Sequence, residues 1–508
     1  MYNSDALFLL IKAMSKSEKR YFKVENVKSE SNSSKDYLRL FDAIDAQKEY
    51  DEKALKKKFK GERYFNQIGA VKHYLYRQIQ KSLTNYYHES SPNIRLNESL
   101  SEIEILFNKN LINNCANSIK KAKALAYKHE KWPELLRLVS WETKVTVLLY
   151  SSEKAASLNQ EIEVERTTIW TKYQQQIALQ VLGTQIRLFF RKKGYAKTPE
   201  ERKHIENILS NELLGKPAHS SEGEINRLVM RANCYTILGK QEERFNESKK
   251  GIEYFQSHPD MVQANFLVYF HNLRDLADIA IAQKKFTYAE SLATILNDLH
   301  KQYQHKLNLK SKIVYLDFEA SILLYKGEFE KALEIIPKTR SILEQFDKTL
   351  EPIDALFLHF INFHIHFRNK DFRNTQLSIQ EIINLGQIRW DMQALVRIAN
   401  LIVQYEQHEY QHLGYVWRST YRYLLKKEML EKPETVILNF IKNISRINSE
   451  KQALNSLIQL REEFLPYKDE SFIASFPLIE WIDSKLQKRE ISEIVMENYL
   501  KAKAAENG

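Results

Sequence analysis

The residues most able to do chemistry are His408-Glu409-Tyr410-Gln411-His412, which spell H-E-x-x-H. On a continuous helix, histidines four apart share a face and can grip one zinc ion while the glutamate activates its water, the arrangement of a zinc hydrolase. Glu428, Glu431 and Glu434 follow as acidic candidates for a third ligand. The surroundings point away from this chemistry: Gln411 and Gly414 do not suit a buried metal-bearing helix, and helical phasing puts Tyr410 near a corner between two helices. His359, His364 and His366 form a second group within one helical stretch. There, phasing places His359 among packing positions and His364 on an inner face. Cys115 and Cys234 lie far apart in apolar helical context, the pattern of two reduced, buried thiols. The sequence contains no Gly-rich phosphate loop, no G-x-S-x-G elbow and no recognisable Cys-His spacing. No catalytic residue, metal or cofactor is therefore expected, and a zinc hydrolase using His408, Glu409 and His412 is kept only as a third reading.

Binding chemistry is better represented. Between Lys53 and Lys81 the positive residues Lys53, Lys56, Lys57, Lys58, Lys60, Arg63, Lys72, Arg77 and Lys81 are opposed only by Glu62. They alternate with Phe59, Tyr64, Phe65, Tyr74 and Tyr76, a mixture suited to phosphate contacts with stacking. Asp51 to Lys60, a turn at Gly61 and a following helix could form a helix-turn-helix, although the glycine is at the wrong offset and the aromatics could equally be core. Residues 1–90 hold 18 Lys/Arg against 12 Asp/Glu within a chain of net charge +11, so an electrostatic partner would meet this end.

The elements that must position these residues are helical. Of 508 residues 43% are hydrophobic and 28% charged, and only 12 Gly and 10 Pro argue against a turn-rich β fold. The apolar run Ala6–Ile11 lacks the flanks of a signal peptide, and no segment is long and apolar enough to span a membrane. The expected location is cytoplasmic. A compact basic unit is expected over 1–90, with Ser15 and Glu18 at capping-box spacing, a linker over Ser29–Ser34, and a helix from about Phe65 to Tyr87 packing Ile68, Val71, Leu75, Ile79 and Leu83. The break Glu89–Pro92 ends it.

From residue 93 a corner recurs. Gly327-Glu328-Phe329 closes one helix and opens the next, with Ala332 and Ile336 following. Forty-three residues upstream stand Phe286, Ala289 and Ala293; forty-three downstream stand Phe372, Thr375 and Ile379. Ile112, Cys115, Ile119 and Ala122 keep the same phase. Leu228, Ala232, Tyr235, Gly239 and Gly251 form another copy, as do Leu273, Leu276, Ala277, Ala280, Phe286 and Ala289. These copies resemble the tetratricopeptide repeat (TPR). Glu319 stands where that family has Leu, Phe363 where it has a small residue, and the longer interval implies helices about one turn longer each.

The resemblance implies an all-α, right-handed α-solenoid of antiparallel helix pairs with a period of about 43. Its repeats cover 93–425, helices at 426–500 cap them, and 501–508 form a frayed tail. Between Glu153 and Lys193 one long amphipathic helix is expected; Thr198-Pro199-Glu200-Glu201 starts the next. Carrying the family's inner-groove positions across singles out His271, Arg274, Asp278, Asp317, Tyr325, His364 and Arg368. Mixed charge with aromatics suits a protein or peptide partner, though the chain's own C-terminal helices could fill the groove. The leading expectation is a non-enzymatic cytoplasmic adaptor or scaffold. The alternative is a nucleic-acid- or ribosome-associated regulator that binds through its basic N-terminal unit.

Overall fold

The computed structural model describes residues 5–27, 32–62, 68–304, 307–346, 349–444, 449–467 and 476–506, and among them the chain is all helix, with no strand. No helix is long and apolar enough to cross a membrane. Two compact units divide at Tyr173/Gln174.

In the first unit, helices α1 (Ala6–Ala13), α2 (Lys16–Val27), α3 (Asn32–Asp45), α4 (Glu52–Lys58) and α5 (Ile68–Tyr87) enclose a core of Leu7, Ile11, Phe22, Phe41, Leu55, Phe59, Val71, Leu75 and Ile79. The capping box forms as spaced: the Glu18 amide donates to Ser15 Oγ at 3.2 Å, and the Ser15 amide donates to the Glu18 carboxylate. The expected linker is shorter than read, since α3 already begins at Asn32. Residues 63–67, including Arg63, Tyr64 and Phe65, lie outside the described residues. Helices α6 (Pro92–Asn108), α7 (Ile112–Lys128) and α8 (Trp132–Leu149) pack in succession around Leu100, Cys115, Ile119 and Leu135. The 41-residue α9 (Ser152–Lys192) then runs across the division between the units.

The second unit continues with α10 (Pro199–Leu209), opened by a capping box between Thr198 and Glu201 as expected, and α11 (Glu212–Gly215). Paired helices follow: α12 (Ser221–Leu238) with α13 (Gln241–Ser257); then, after α14 (Pro259–Ala264), α15 (Phe266–Ala282) with α16 (Phe286–Tyr303). Next come α17 (Leu309–Tyr325) with α18 (Phe329–Ala332) and α19 (Ile336–Phe346); α20 (Pro352–Arg368) with α21 (Phe372–Asn384); and α22 (Trp390–Glu406) with α23 (Tyr410–Lys426). The chain ends in α24 (Lys432–Ile444), α25 (Glu450–Phe464), α26 (Leu478–Gln487) and α27 (Ile491–Glu506). A 3-10 turn at Leu333–Ile335 separates α18 from α19. Pro337 explains it, because a proline lacks the amide that would close the preceding helical turn.

One corner joins each pair. Gly239, Lys284, Gly327, Lys370 and His408 all have φ between 56° and 76°. In each, the next residue's amide reaches back five positions, as Glu328 does to the Leu323 carbonyl at 2.9 Å and Asp371 to the His366 carbonyl at 2.9 Å. This is the Schellman closure of a helix. Glycine fits it without strain, whereas lysine or histidine there carries a left-handed cost of about 1 kcal/mol.

The last residues correct an expectation: Lys501–Glu506 do not fray but continue α27, which lies back on α16 and α17. Glu290 of α16 receives the Tyr499 hydroxyl at 2.5 Å, Lys503 at 2.7 Å and Lys326 at 2.8 Å, while Glu506 accepts the Thr287 amide at 2.7 Å. The docking depends on Gly327, where a Cβ would come 2.6 Å from the Ser492 carbonyl oxygen.

Candidate partner-binding surface

The seven inner-face candidates come from α15, α17 and α20. The structure draws most of them into one charged cluster. Arg274 sits at its centre, one turn before Asp278 on α15, and bonds Asp278 at 2.8 Å, Asp275 at 3.0 Å and Asp317 of α17 most closely of all. Asp275 was not among the sequence candidates; it is the charged neighbour of Arg274 and completes a ring of three carboxylates around one guanidinium. Burial works against the charge of Arg274, yet Asp278, Asp317 and Asp275 together push its pKa upward. For Asp278 burial dominates and, with Asp317 and Asp275 adding repulsion, overcomes Arg274, so that its carboxyl is raised to about 6.

These groups are surrounded by protein without being sealed. Arg274 and Asp278 keep 19% and 26% of their side-chain surface, and Tyr325 remains 39% exposed. That combination belongs to a half-open surface rather than to a sealed core. The Tyr325 hydroxyl lies within electrostatic reach of Asp278, Arg368 and Glu480, and burial with Asp278 raises it to about 12. On α20, Arg368 donates to His364 Nδ1 at 2.8 Å, and burial lowers its pKa to about 10 despite Tyr325 and Glu480. Burial, then Arg368, holds His364 well below its usual value, so the imidazole is neutral and accepts. His271 stands apart, bonding Ser311 at 2.9 Å, and burial lowers its pKa too. Glu480, contributed by α26, could not be found from the repeat phase because α26 lies outside it.

The basic N-terminal candidates are split by the fold. Lys53, Lys56, Lys57, Lys58 and Lys60 are exposed on and just after α4, with Lys56 paired to Glu52 at 2.7 Å. Lys72 does not join them: its side chain is 13% exposed and bonds Glu52 at 3.0 Å and the Tyr50 hydroxyl at 2.5 Å, tying α5 to the start of α4. Arg77 and Lys81, five and nine residues on, fall on the far side of α5 and are exposed. Phe59 is core, and Tyr74 stacks on Tyr37 with ring centroids 4.4 Å apart.

The H-E-x-x-H stretch lacks the helix it needs. His408 is the left-handed corner residue, Glu409 caps, and α23 starts at Tyr410, so only His412 is helical. His408 Nδ1 lies 3.1 Å from the Tyr410 hydroxyl. Glu428 follows the far end of the 17-residue α23, about 25 Å away at the helical rise. Glu431 bonds Lys197 at 2.6 Å, and Glu434 is fully buried at the start of α24. In the other histidine group, His366 pairs with Asp371 at 3.0 Å while His364 serves Arg368.

No protein-family model matches the chain, and no curated protein matches it either.

Proposed function

We propose that the protein is a non-enzymatic cytoplasmic adaptor or scaffold whose helix pairs, α12 to α23, stack as a TPR-like right-handed solenoid with a period near 43. A protein or peptide segment binds along its inner face. The observation carrying this reading is the half-open cluster of Arg274, Asp278, Asp317, Tyr325 and Arg368, contributed by the first helix of three successive pairs. Charged groups surrounded by protein cost stability unless paired, and Arg368 has no carboxylate within 4 Å among the described residues. A partner supplying the missing contacts accounts for both its charge and its access to water. The test is selection of a displayed random 16-residue peptide library on the intact protein. Enriched peptides whose binding drops at least tenfold in Tyr325→Ala support the groove; no enrichment, or binding indifferent to Tyr325→Ala and Asp278→Asn alike, defeats it.

A second reading, a nucleic-acid- or ribosome-associated regulator, is favoured by one observation: Lys53, Lys57, Lys58 and Lys60 are exposed together with no carboxylate within 4 Å among the described residues. It predicts that nucleic acid copurifies at low salt and is lost when these four become glutamate.

A further inference from the structure

Helix α23 carries Arg418, Arg422 and Lys426 and no acidic residue, and Lys427 follows at once. The three cations are spaced four apart, so they form one exposed stripe, headed by Tyr415, which is 70% exposed. At its lower end the stripe meets the end of α9. The ammonium groups of Lys192 and Lys193 each lie 5.4 Å from the centroid of the Trp390 ring, and that of Lys427 lies 3.7 Å from it. Three like charges are thus held around one indole. Lys193 is answered by Glu201, and Lys427 donates to Gln387 at 2.5 Å. Arg418, Arg422, Lys426, Lys427 and Lys192 have no carboxylate within 4 Å among the described residues. Burial, then repulsion from Lys426, Lys192 and Lys193, lowers the pKa of Lys427. A helix C-terminus favours a cation in its last turn. That accounts for Lys192 and Lys426, not for a stripe reaching back to Arg418.

We propose that this surface, running about 16 Å from Tyr415 to Lys426 and onto Lys427 and Lys192, binds a single strand of nucleic acid, independently of the inner-face groove. The five unanswered cations meet phosphates. Tyr415, exposed beside the arginines, offers its ring to a base, as does the one face of Tyr421 not stacked on Trp417, whose ring centroid lies 5.2 Å away; an acidic protein would not require them.

The test is fluorescence anisotropy of a labelled 20-mer of deoxythymidine titrated with the full chain from 50 to 300 mM NaCl. With five phosphates neutralised, log K should fall against log salt with a slope of about −3.5. The triple substitution Arg418→Gln, Arg422→Gln, Lys426→Gln, confined to exposed side chains, should flatten the slope to about −1.4. Tyr415→Ala should weaken binding about tenfold through lost stacking. Lys57→Gln, Lys58→Gln, Lys60→Gln on the N-terminal unit should change neither. The proposal is overturned if the strand does not bind at 50 mM NaCl, or if the N-terminal variant abolishes binding while the α23 variant keeps it. It is overturned equally if polyglutamate competes as well as the DNA and Tyr415→Ala has no effect, which would make the partner an acidic protein.

Discussion

Asp278→Asn should stabilise the protein at neutral pH and leave it unchanged in acid. A carboxyl raised to about 6, against 3.8 for a free aspartate, corresponds to roughly 3 kcal/mol of disfavoured ionisation. With a quarter of the side chain open to water, solvent screening leaves a cost on the order of 1–2 kcal/mol. Arg274 is not stranded by the change, because Asp317 and Asp275 still hold it. The sign follows from proton binding. Below the unfolded value both states carry the proton and Asp278 contributes nothing. Between about 4 and 6 the unfolded chain releases it first, so stability falls as pH rises, and above 6 the full cost is present. Thermal unfolding of both proteins at pH 3 and pH 7.5 should show coincident midpoints at the lower pH and a rise of about 1–3 °C for the variant at the higher. A variant less stable at pH 7.5 would mean that the Arg274 ion pair outweighs burial. An advantage independent of pH would mean that the carboxyl does not titrate in this window. Either result refutes the reasoning.

The row of corners yields further expectations. Gly327→Ala should cost about 1 kcal/mol from the left-handed backbone alone and, by pressing on the Ser492 carbonyl, lift α27 off the Gly327 corner, seen as faster hydrogen exchange confined to Ile491–Glu506. Replacing His408 with glycine should raise stability by about 1 kcal/mol and leave metal content unchanged; a zinc ion lost with His408 would restore the hydrolase reading. Glu290 is held at about 2: burial opposes its charge, but Lys326, Lys503 and Tyr499 outweigh it. The grip on α27 is therefore complete above the ordinary glutamate value of 4.5 and lost as pH falls towards 2, and Glu290→Gln should release the helix at neutral pH, read by the same exchange measurement.

The helices and their corners were legible because local rules write them. Thr198 and Glu201 cap α10, and Phe286, Phe329 and Phe372 each open the second helix of a pair two residues after a left-handed residue. The phase puts Tyr410 near a corner, and the corner's left-handed residue is His408, so His408 and His412 do not share one helix. What stayed hidden depends on contacts across long separations. Lys72 reads as one more lysine in a basic run, but it is spent on Glu52 and Tyr50. The tail reads as polar and loose, yet Lys503 and Glu506 find partners more than 200 residues away. The α23 stripe was visible in principle, as a stretch from Tyr410 to Lys427 without one acidic residue. The larger N-terminal charge excess masks it in the sequence.

Arg274 and Arg368 differ in how their charges are met. Both guanidiniums are surrounded by protein, but Arg274 is held by three carboxylates and Arg368 by a neutral histidine. A guanidinium with no carboxylate in hydrogen-bond reach is costlier to keep in protein surroundings than one held by three, and around Arg368 only Tyr325 and Glu480, acting at a distance, offset its burial. The excess is local and of both signs: surplus negative charge around Arg274, a positive charge at Arg368 that Tyr325 and Glu480 offset only at a distance, and Tyr325 within electrostatic reach of both Asp278 and Arg368. A ligand complementary to that surface carries a cation and an anion at a fixed separation, with an apolar or aromatic portion between them to lie on Tyr325. A polyanion meets repulsion from the aspartates, and a uniformly basic segment meets it from Arg368. On the proposed readings, the same argument keeps nucleic acid off this cluster and leaves the stripe of α23, where every charge has one sign, as the surface suited to it.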